Sequence, residues 1–474
     1  MALDLSLLER LTATPGVSGR EDAVRALLRA ELEPLVDEVA TDPMGNLIAV
    51  RHGDGAGPRI LLAAHMDEVG FLVRHVEDDG FVRIHPVGGI FPKYELAQRV
   101  RIHTEDGPID GVLAEPTDLQ MATEESKVPK LEECFVDPGA SLEDIQAMVR
   151  PGDPVTVERA LERFGDHIVS KALDDRIGAF IIVEVLRRLP RGAAEIAVIG
   201  SVQEEIGTRG VTVAAHAREK DVAVAVDTTM ARDLPTVPPA KVVTRLGAGC
   251  SLKVMDRHQI TPAPLLRFTR KLADERGIAT QLEVGLPGGT DAEAIEISGD
   301  GAPAIALSIP CRYPHTASET VHIADVEATI DLVTAFCETV TVDDLRHASQ
   351  PAQNTVKSTP HAGACDRISP GSSPGGSERS VASTTWNIPS ASSRSFTSCQ
   401  SAGCSDSTTE LTEVKTSTGD PGYPSHRIHA AEPSSPPDEV TSGAPPVMPA
   451  CGCPGDATKI GAIDAPPSPV SIAK

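Results

Sequence analysis

Two acidic residues, Glu204 and Glu205, stand side by side after an apolar run in the middle of the chain. The run over 196–202 is rich in isoleucine, valine and alanine, which predicts a strand buried on both faces. In open α/β sheets, ligands bind in the crevice beyond the carboxyl ends of such strands. Two adjacent carboxylates there are costly unless a cation or a proton offsets their charge. Taken alone, the pair is also compatible with the start of a solvated surface loop.

Other predicted strand ends and strand-to-helix turns carry residues of the same chemistry. They are His65 after the run 60–64, Asp174 at the start of a helix, Asp227 at the end of the run 221–227, and His315 after the run 304–310. Asp67 could accept a hydrogen bond from the far imidazole nitrogen of His65 and fix its tautomer. For Asp174 and its neighbour Asp175, capping of the helix is the alternative role. Two imidazoles and several carboxylates, without thiolates, suit two divalent ions that share a bridging carboxylate.

The elements that must position these residues indicate an α/β protein with an inserted β segment. Apolar runs alternate with amphipathic helical patterns over 1–67 and again over 164–346. Residues 68–163 instead show short alternating stretches separated by Asp-Gly and Gly-Gly turns, typical of a small antiparallel barrel or sandwich. We therefore predict an α/β domain with a central mixed β-sheet flanked by helices, split into 1–67 and 164–346 by a small β domain.

Composition excludes several classes of partner. The 474-residue chain has a formal net charge of −25, which argues against a nucleic acid or an anionic membrane surface as partner. No apolar run approaches the length of a membrane span, and the N-terminus lacks the apolar core of a signal peptide. The nine cysteines form no pair of CxxC motifs, so neither a disulfide framework nor a thiolate zinc site is indicated. These features favour a cytoplasmic protein.

The last part of the chain, 347–474, differs in composition from everything before it. It is rich in serine, proline, threonine and glycine and has almost no hydrophobic periodicity. Such a segment cannot bury enough apolar surface to offset the entropy of ordering it, so we predict a disordered tail. A shifted reading frame and an unusual extension are both compatible with it.

Five motifs, in this order along residues 3–345, resemble those of a known enzyme family. They are His65-Met-Asp67, Lys171-Ala-Leu-Asp-Asp-Arg-x-Gly178, Val202-Gln-Glu-Glu-x-Gly207, Gly288-Gly-Thr-Asp-Ala292 and Ile309-Pro-Cys-Arg-Tyr-x-His315. The chain is similar in these motifs to the tetrahedral (TET) metalloaminopeptidases. That family includes glutamyl and leucyl aminopeptidases and proteins labelled cellulase M or endoglucanase. A set of ordered motifs is more specific than any single member.

The resemblance implies a ligand set for two divalent ions, zinc or cobalt. Asp174 would bridge the two metals. His65 and Asp227 would complete one site, and Glu205 and His315 the other.

The resemblance also implies catalytic roles and an assembly. Glu204 would be the general base that activates a metal-bridging water, and Asp67 would orient His65. The substrates would be peptides cleaved after their N-terminal residue. The inserted segment 68–163 would be a PDZ-like dimerisation domain, and dimers would be the building block of a larger shell, possibly a dodecamer.

Rival interpretations remain open at the level of sequence. A related dinuclear hydrolase could remove acyl groups or C-terminal residues, and a non-catalytic homologue could retain the ligands. An endoglucanase would need two carboxylates flanking a sugar, which a metal-ligand cluster fits poorly. Thr290 and Asp291 could line the substrate site or cap a helix.

Overall fold

A computed structural model describes residues 3–115, 130–285 and 288–345. The predicted disordered tail, 347–474, lies outside the described residues. The strands are β1 (Glu38–Thr41), β2 (Leu47–Arg51), β3 (Arg59–His65), β4 (Gly70–Val76), β5 (Val82–Val87), β6 (Arg99–Thr104), β7 (Gly107–Ala114), β8 (Phe135–Pro138), β9 (Pro154–Val157), β10 (Glu162–Phe164), β11 (His167–Ser170), β12 (Glu195–Ser201), β13 (Val222–Met230), β14 (Cys250–Met255), β15 (Thr280–Val284), β16 (Ala304–Arg312) and β17 (Glu319–His322). The α-helices are α1 (Ser6–Ala13), α2 (Asp22–Leu32), α3 (Pro92–Glu95), α4 (Leu142–Met148), α5 (Leu173–Arg188), α6 (Arg209–His216), α7 (Ala263–Arg276), α8 (Asp291–Ile297) and α9 (Ile323–Thr339).

A mixed sheet of eleven described strands confirms the predicted α/β architecture. Its order is β1-β2-β12-β3-β13-β16-β17-β11-β10, and β14 joins it through β16 with β15 beyond. The central strands β12, β3, β13 and β16 are parallel neighbours. In this register Ser201 lies opposite His65, and Asp227 lies opposite Ser308. Because parallel strands end at one edge, the residues that follow them are brought together there.

Helices cover both faces of this sheet because its central strands are apolar on both sides. In β3, Leu62 packs into one core with α1, α2, α5, α7 and α9. Leu61 and Ala63 point to the opposite face and pack into a second core with α6 and α8. This alternation follows from the two-residue period of a strand. None of the described helices is long and apolar enough to span a bilayer.

The inserted segment forms a closed barrel of six described strands, in the order β4-β5-β8-β7-β6-β9. Its strands run from Gly70 to Val157, inside the predicted 68–163, and enclose a separate apolar core that includes Phe71 and Val136. β10 pairs with β11 in the main sheet and begins at Glu162. The exact domain limits stay a prediction.

A buried ion network fixes the start of α5 against the segment that follows β3. Glu68 accepts hydrogen bonds from Lys171 Nζ at 2.6 Å and from Gly16 N at 3.0 Å, and it also pairs with Arg176. Arg176, which is fully buried, donates to two backbone carbonyls at the end of α1. These contacts offset the cost of burying the charges and hold the first turn of α5 at the carboxyl edge of the sheet.

Candidate metal centre and active site

The carboxyl edge of the parallel strands gathers the side chains singled out in the sequence. His65 is the last residue of β3, and Glu204 and Glu205 follow β12 closely. His315 follows β16 with φ of 60°, a left-handed backbone conformation that is uncommon outside glycine. Asp227 differs from the expectation: β13 continues to Met230, so Asp227 lies inside the strand and not at its end. It still reaches the cluster, because its side chain faces the cavity at this edge.

Asp174 lies between the two histidines. Its Oδ1 is 3.1 Å from His65 Nε2, and its Oδ2 is 3.6 Å from His315 Nε2. The hydroxyl of Thr228 donates to the same Oδ2 at 2.8 Å. The two oxygens of one carboxylate therefore face two different imidazoles.

The remaining candidate ligands surround this carboxylate. Glu205 Oε1 lies 3.4 Å from His315 Nε2, and Asp227 Oδ1 lies 3.9 Å from His65 Nε2. Glu204 lines the same cavity of about 500 Å³. Two sets of three residues share His65, and within each set the donor atoms lie within 4.8 Å of one another. One set is His65, Asp174 and Glu205, and the other is His65, Asp175 and Asp227.

Asp67 is fully buried and contacts three residues that line the cavity. His65 Nδ1 is 3.1 Å from the Asp67 backbone oxygen and 3.5 Å from its Oδ1. The carboxylate also accepts the backbone N–H groups of Glu204 at 3.0 Å and Glu205 at 3.2 Å, and the Ser18 hydroxyl at 2.6 Å. Asp67 thus contacts the histidine and both glutamates at once, a link that the sequence analysis did not anticipate.

Three further contributors were missed in the sequence. Asp175 had been given only a capping role; it does accept from Gly178 N at 3.0 Å, but it also accepts from His65 N at 3.2 Å. Glu319, buried, accepts from Asp174 N at 2.9 Å and from His315 N at 2.7 Å. From the barrel, Gly89 places its carbonyl oxygen 2.9 Å from His315 Nδ1. In the sequence, only Glu319 carried a signal of this role, because it lies four residues after the candidate ligand His315.

Thr290 and Asp291 have structural partners. Thr290 is the N-cap of α8, where its hydroxyl accepts from Ala292 N at 3.3 Å. Asp291 is buried and accepts a short hydrogen bond from Ser201 at the end of β12. Of the two alternatives for this pair, the capping role is present at Thr290.

The pKa values of the cluster reflect burial first and the neighbouring charged groups second. Burial raises the pKa of Glu205 to about 7 and that of Asp227 to about 7, and the charge of Asp174 adds to both shifts. Burial disfavours the charged form of His315, but Glu205 and Asp174 outweigh it and raise its pKa to about 11. Burial also opposes ionisation of Asp174, yet the hydrogen bonds from His315 and His65 hold its pKa below the usual range.

The donor set fits divalent cations. Five carboxylates and two imidazoles converge, so the histidines cannot offset the carboxylates even when both are protonated. Glu205 Oε1 is buried and has no hydrogen-bond partner, the state of an acceptor that a cation would satisfy. Carboxylate and imidazole ligands without thiolates suit zinc, cobalt or manganese. The fold and this cluster define an α/β protein with a candidate metal site at the carboxyl edge of its sheet, an arrangement suited to a metal-dependent hydrolase.

Comparison with known proteins identifies the family. The sequence profile of the M42 glutamyl aminopeptidase family matches residues 45–332. A lysyl aminopeptidase from Pyrococcus furiosus is 36% identical over 343 residues, which cover 71% of this chain and 97% of the relative. The chain therefore belongs to the M42 aminopeptidase family and is a peptidase.

Solved structures agree with this assignment. Aminopeptidase APDkam598 from the archaeon Desulfurococcus kamchatkensis superimposes with a TM-score of 0.70 at 35% identity, over 74% of this chain and 98% of that one. The TET1 peptidase of Pyrococcus horikoshii is described as able to assemble into a tetrahedron or a large octahedral shell. It superimposes with a TM-score of 0.64 at 31% identity, over 70% of this chain and 98% of that one. These neighbours confirm the predicted resemblance to the TET aminopeptidases and the fold.

Proposed function

We propose that this peptidase is a dinuclear metal-dependent aminopeptidase with Glu204 as its general base. One observation carries the proposal: the two oxygens of Asp174 face two different imidazoles, His65 and His315. That is the placement expected of a carboxylate shared by two cations. His65 and Asp227 would hold one ion, and Glu205 and His315 the other.

The protein's own residues would orient the reactants and move the proton. The chemistry supplied here by bound zinc or cobalt is polarisation of the scissile carbonyl and a lower pKa for the attacking water. Glu204 would accept the proton of that water on its carboxylate and pass it to the departing amine. Asp67 would hold the His65 ring in place and fix the backbone from which Glu204 projects.

Burial suits Glu204 to the role of base. It raises the Glu204 pKa well above the usual range, and the neighbouring Asp227 and Glu205 add to the shift. A nearby cation would lower this pKa again, which would leave a carboxylate that is ionised yet basic enough to take a proton. Glu205 differs because its Oε1 faces His315, the geometry of a ligand.

The proposal also covers the assembly of the protein, a homo-oligomer, and its location, the cytoplasm. The TET1 peptidase of Pyrococcus horikoshii can assemble into a tetrahedron or a large octahedral shell, and this chain shares its fold and has the inserted barrel. We therefore expect a homodimer built through the barrel and a larger shell made from such dimers. The four described cysteines are free thiols, which supports a reducing, cytoplasmic setting.

Hydrolysis of aminoacyl p-nitroanilides tests the proposal. The full chain, stripped with a chelator, should be inactive, and added cobalt or zinc should restore turnover. N-acylated versions of the same substrates should not be cleaved, because an aminopeptidase requires a free amino group. Full activity in metal-free protein would contradict the metal mechanism. Release of the free acid from the N-acyl substrates, without release of p-nitroaniline from any substrate, would indicate a deacylase.

A further inference from the structure

The catalytic cavity has a polar wall that the proposed chemistry does not use. The candidate ligands line one part of it, and Lys253, Asp256, His258 and Glu293 line another. This wall is built from the end of β14, the loop after it, and the first turn of α8. The family name specifies a glutamyl substrate and one relative is a lysyl enzyme, so family membership does not fix the residue that this wall receives.

The one lysine of this described wall is already paired. Lys253 is 5% exposed, and its Nζ lies 3.3 Å from Glu283 Oε1 and 3.8 Å from Asp256 Oδ2. Glu283 is fully buried and also accepts from the Ser251 hydroxyl at 2.9 Å. A cation held between two buried carboxylates has little capacity left for an anionic ligand.

Two carboxylate oxygens beside it have no hydrogen-bond donor among the described residues. Asp256 is 2% exposed; its Oδ1 accepts from His258 N and Gln259 N, both at 2.8 Å, whereas its Oδ2 has no hydrogen-bond partner. Glu293 Oε2 is likewise buried without a hydrogen bond, and its near neighbour His258 Nδ1 lies 3.8 Å away. Buried acceptors of this kind are costly until a donor reaches them.

Another part of the cavity lining is apolar and is shared with a neighbouring groove. Phe91, Met230 and Pro314 line both the cavity and an adjoining groove of about 550 Å³ that carries the half-exposed rings of Tyr94 and Tyr313. A peptide cleaved after its first residue places one side chain on one side of the scissile bond and the rest of the chain on the other. We assign the apolar groove to the rest of the chain. The polar wall then faces the first side chain.

We propose that Asp256 and Glu293 form a subsite that selects a basic N-terminal residue, lysine or arginine. This inference rests on the proposed aminopeptidase function. An ammonium or guanidinium group would donate to Asp256 Oδ2 and Glu293 Oε2 and offset their charge. A leucine side chain would leave both acceptors without a hydrogen bond, and a glutamate side chain would add like charge, so each is disfavoured.

The test compares substrates on the cobalt-loaded full chain. We expect kcat/KM for lysyl and arginyl p-nitroanilides to exceed that for the leucyl compound roughly tenfold or more, with the glutamyl compound slowest. Glu293→Gln should lower the lysyl-to-leucyl ratio roughly tenfold, and Asp256→Asn should lower it further. Glu275→Gln, on the exposed surface of α7 and outside the cavity lining, is the control and should leave the ratio unchanged.

A second measurement separates binding from turnover. In the Glu204→Gln variant, calorimetry should show tighter binding of lysinamide than of leucinamide, and Glu293→Gln in that background should remove the difference. Preference for the glutamyl substrate, or a lysyl-to-leucyl ratio unmoved by Glu293→Gln in folded protein, would overturn the subsite while leaving the aminopeptidase proposal intact. Absence of hydrolysis of every aminoacyl substrate in metal-loaded protein would overturn both.

Discussion

Glu204 and Glu205 are chemically identical neighbours, so placement alone can separate their roles. The Glu205 carboxylate faces His315, and Glu204 lies close enough to His65 and Asp227 for their charges to shift its pKa. Glu204→Gln keeps size and hydrogen bonding but cannot accept a proton. We expect turnover to fall roughly 100- to 10,000-fold with metal content unchanged. Turnover and metal stoichiometry measured on the same preparation test this assignment.

Glu205→Gln is the matched comparison. A neutral amide is a poorer ligand, so this variant should lose metal from one site, and excess metal should restore part of the activity. A metal-depleted Glu204→Gln beside a metal-replete but inactive Glu205→Gln would show that the two roles are reversed.

Ser18 acts on the same pair through Asp67. Its hydroxyl donates to Asp67 Oδ2 at 2.6 Å, and Asp67 in turn accepts from the backbone of Glu204 and Glu205. Ser18→Ala removes one donor from a buried carboxylate, so the Asp67 side chain should shift. We expect kcat to fall roughly tenfold while KM and metal content stay near wild type. Ser18→Thr, which keeps the hydroxyl, should restore most of the loss.

Ser141→Ala serves as the control for Ser18→Ala. Ser141 caps α4 in the barrel and accepts from Asp144 N, so its loss affects stability but not the glutamate pair. Equal kcat losses in the Ser18 and Ser141 variants would mean that Ser18 has only a structural role.

At the scale of elements, the barrel contributes directly to the active site. The loop after β5 brings Gly88 against Glu205 and Gly89 against His315. Gly88 has φ of +83°, and a Cβ there would lie 2.7 Å from Val69 Cγ1 and 3.3 Å from Glu205 Cβ. The inserted domain therefore holds part of the candidate ligand set in addition to any role in dimerisation.

Gly88→Ala tests this contribution of the barrel. The backbone strain should lower the free energy of unfolding by about 1–2 kcal/mol, and displacement of Glu205 should lower turnover several-fold and weaken metal binding. Gly107→Ala is the control, since Gly107 has φ of +126° in the same barrel and a Cβ there meets no atom within 4 Å. The Gly107 variant should lose stability but keep turnover. Unchanged turnover in Gly88→Ala would show that the loop does not position Glu205.

At the scale of the molecule, we expect a homo-oligomer. The barrel leaves Val112 43% exposed and Leu142 45% exposed, apolar surface that a partner could cover. Light scattering of the full chain at micromolar concentration should give the mass of a dimer or of a larger shell. A monomer at that concentration would contradict the proposed assembly.

The catalytic unit should end near residue 346. The furiosus lysyl aminopeptidase is covered over 97% of its length by only 71% of this chain. A chain that stops at residue 346 should keep the turnover and the thermal midpoint of the full chain. Loss of folding on this truncation would show that 347–474 supports the catalytic domain.

The sequence by itself determined the α/β architecture and most of the candidate site. Apolar runs such as 60–64 and 304–310 predict strands buried on both faces, and such strands place whatever follows them at one edge of a parallel sheet. The alternating pattern of the inserted segment predicted a small antiparallel barrel or sandwich, since a period of two is a local property of the backbone, and the structure shows the barrel.

Only the tertiary structure decided which side chains meet. Asp174 and Asp175 are adjacent and chemically identical, yet they make different contacts. Asp174 faces both histidines, whereas Asp175 accepts a hydrogen bond from Gly178 N in α5, because the backbone angles inside the turn set the direction of each side chain. Glu319 and Gly89 reach the site from segments distant in sequence. Hydrophobic periodicity reports which face of an element is buried, but contacts between distant segments depend on how those elements pack.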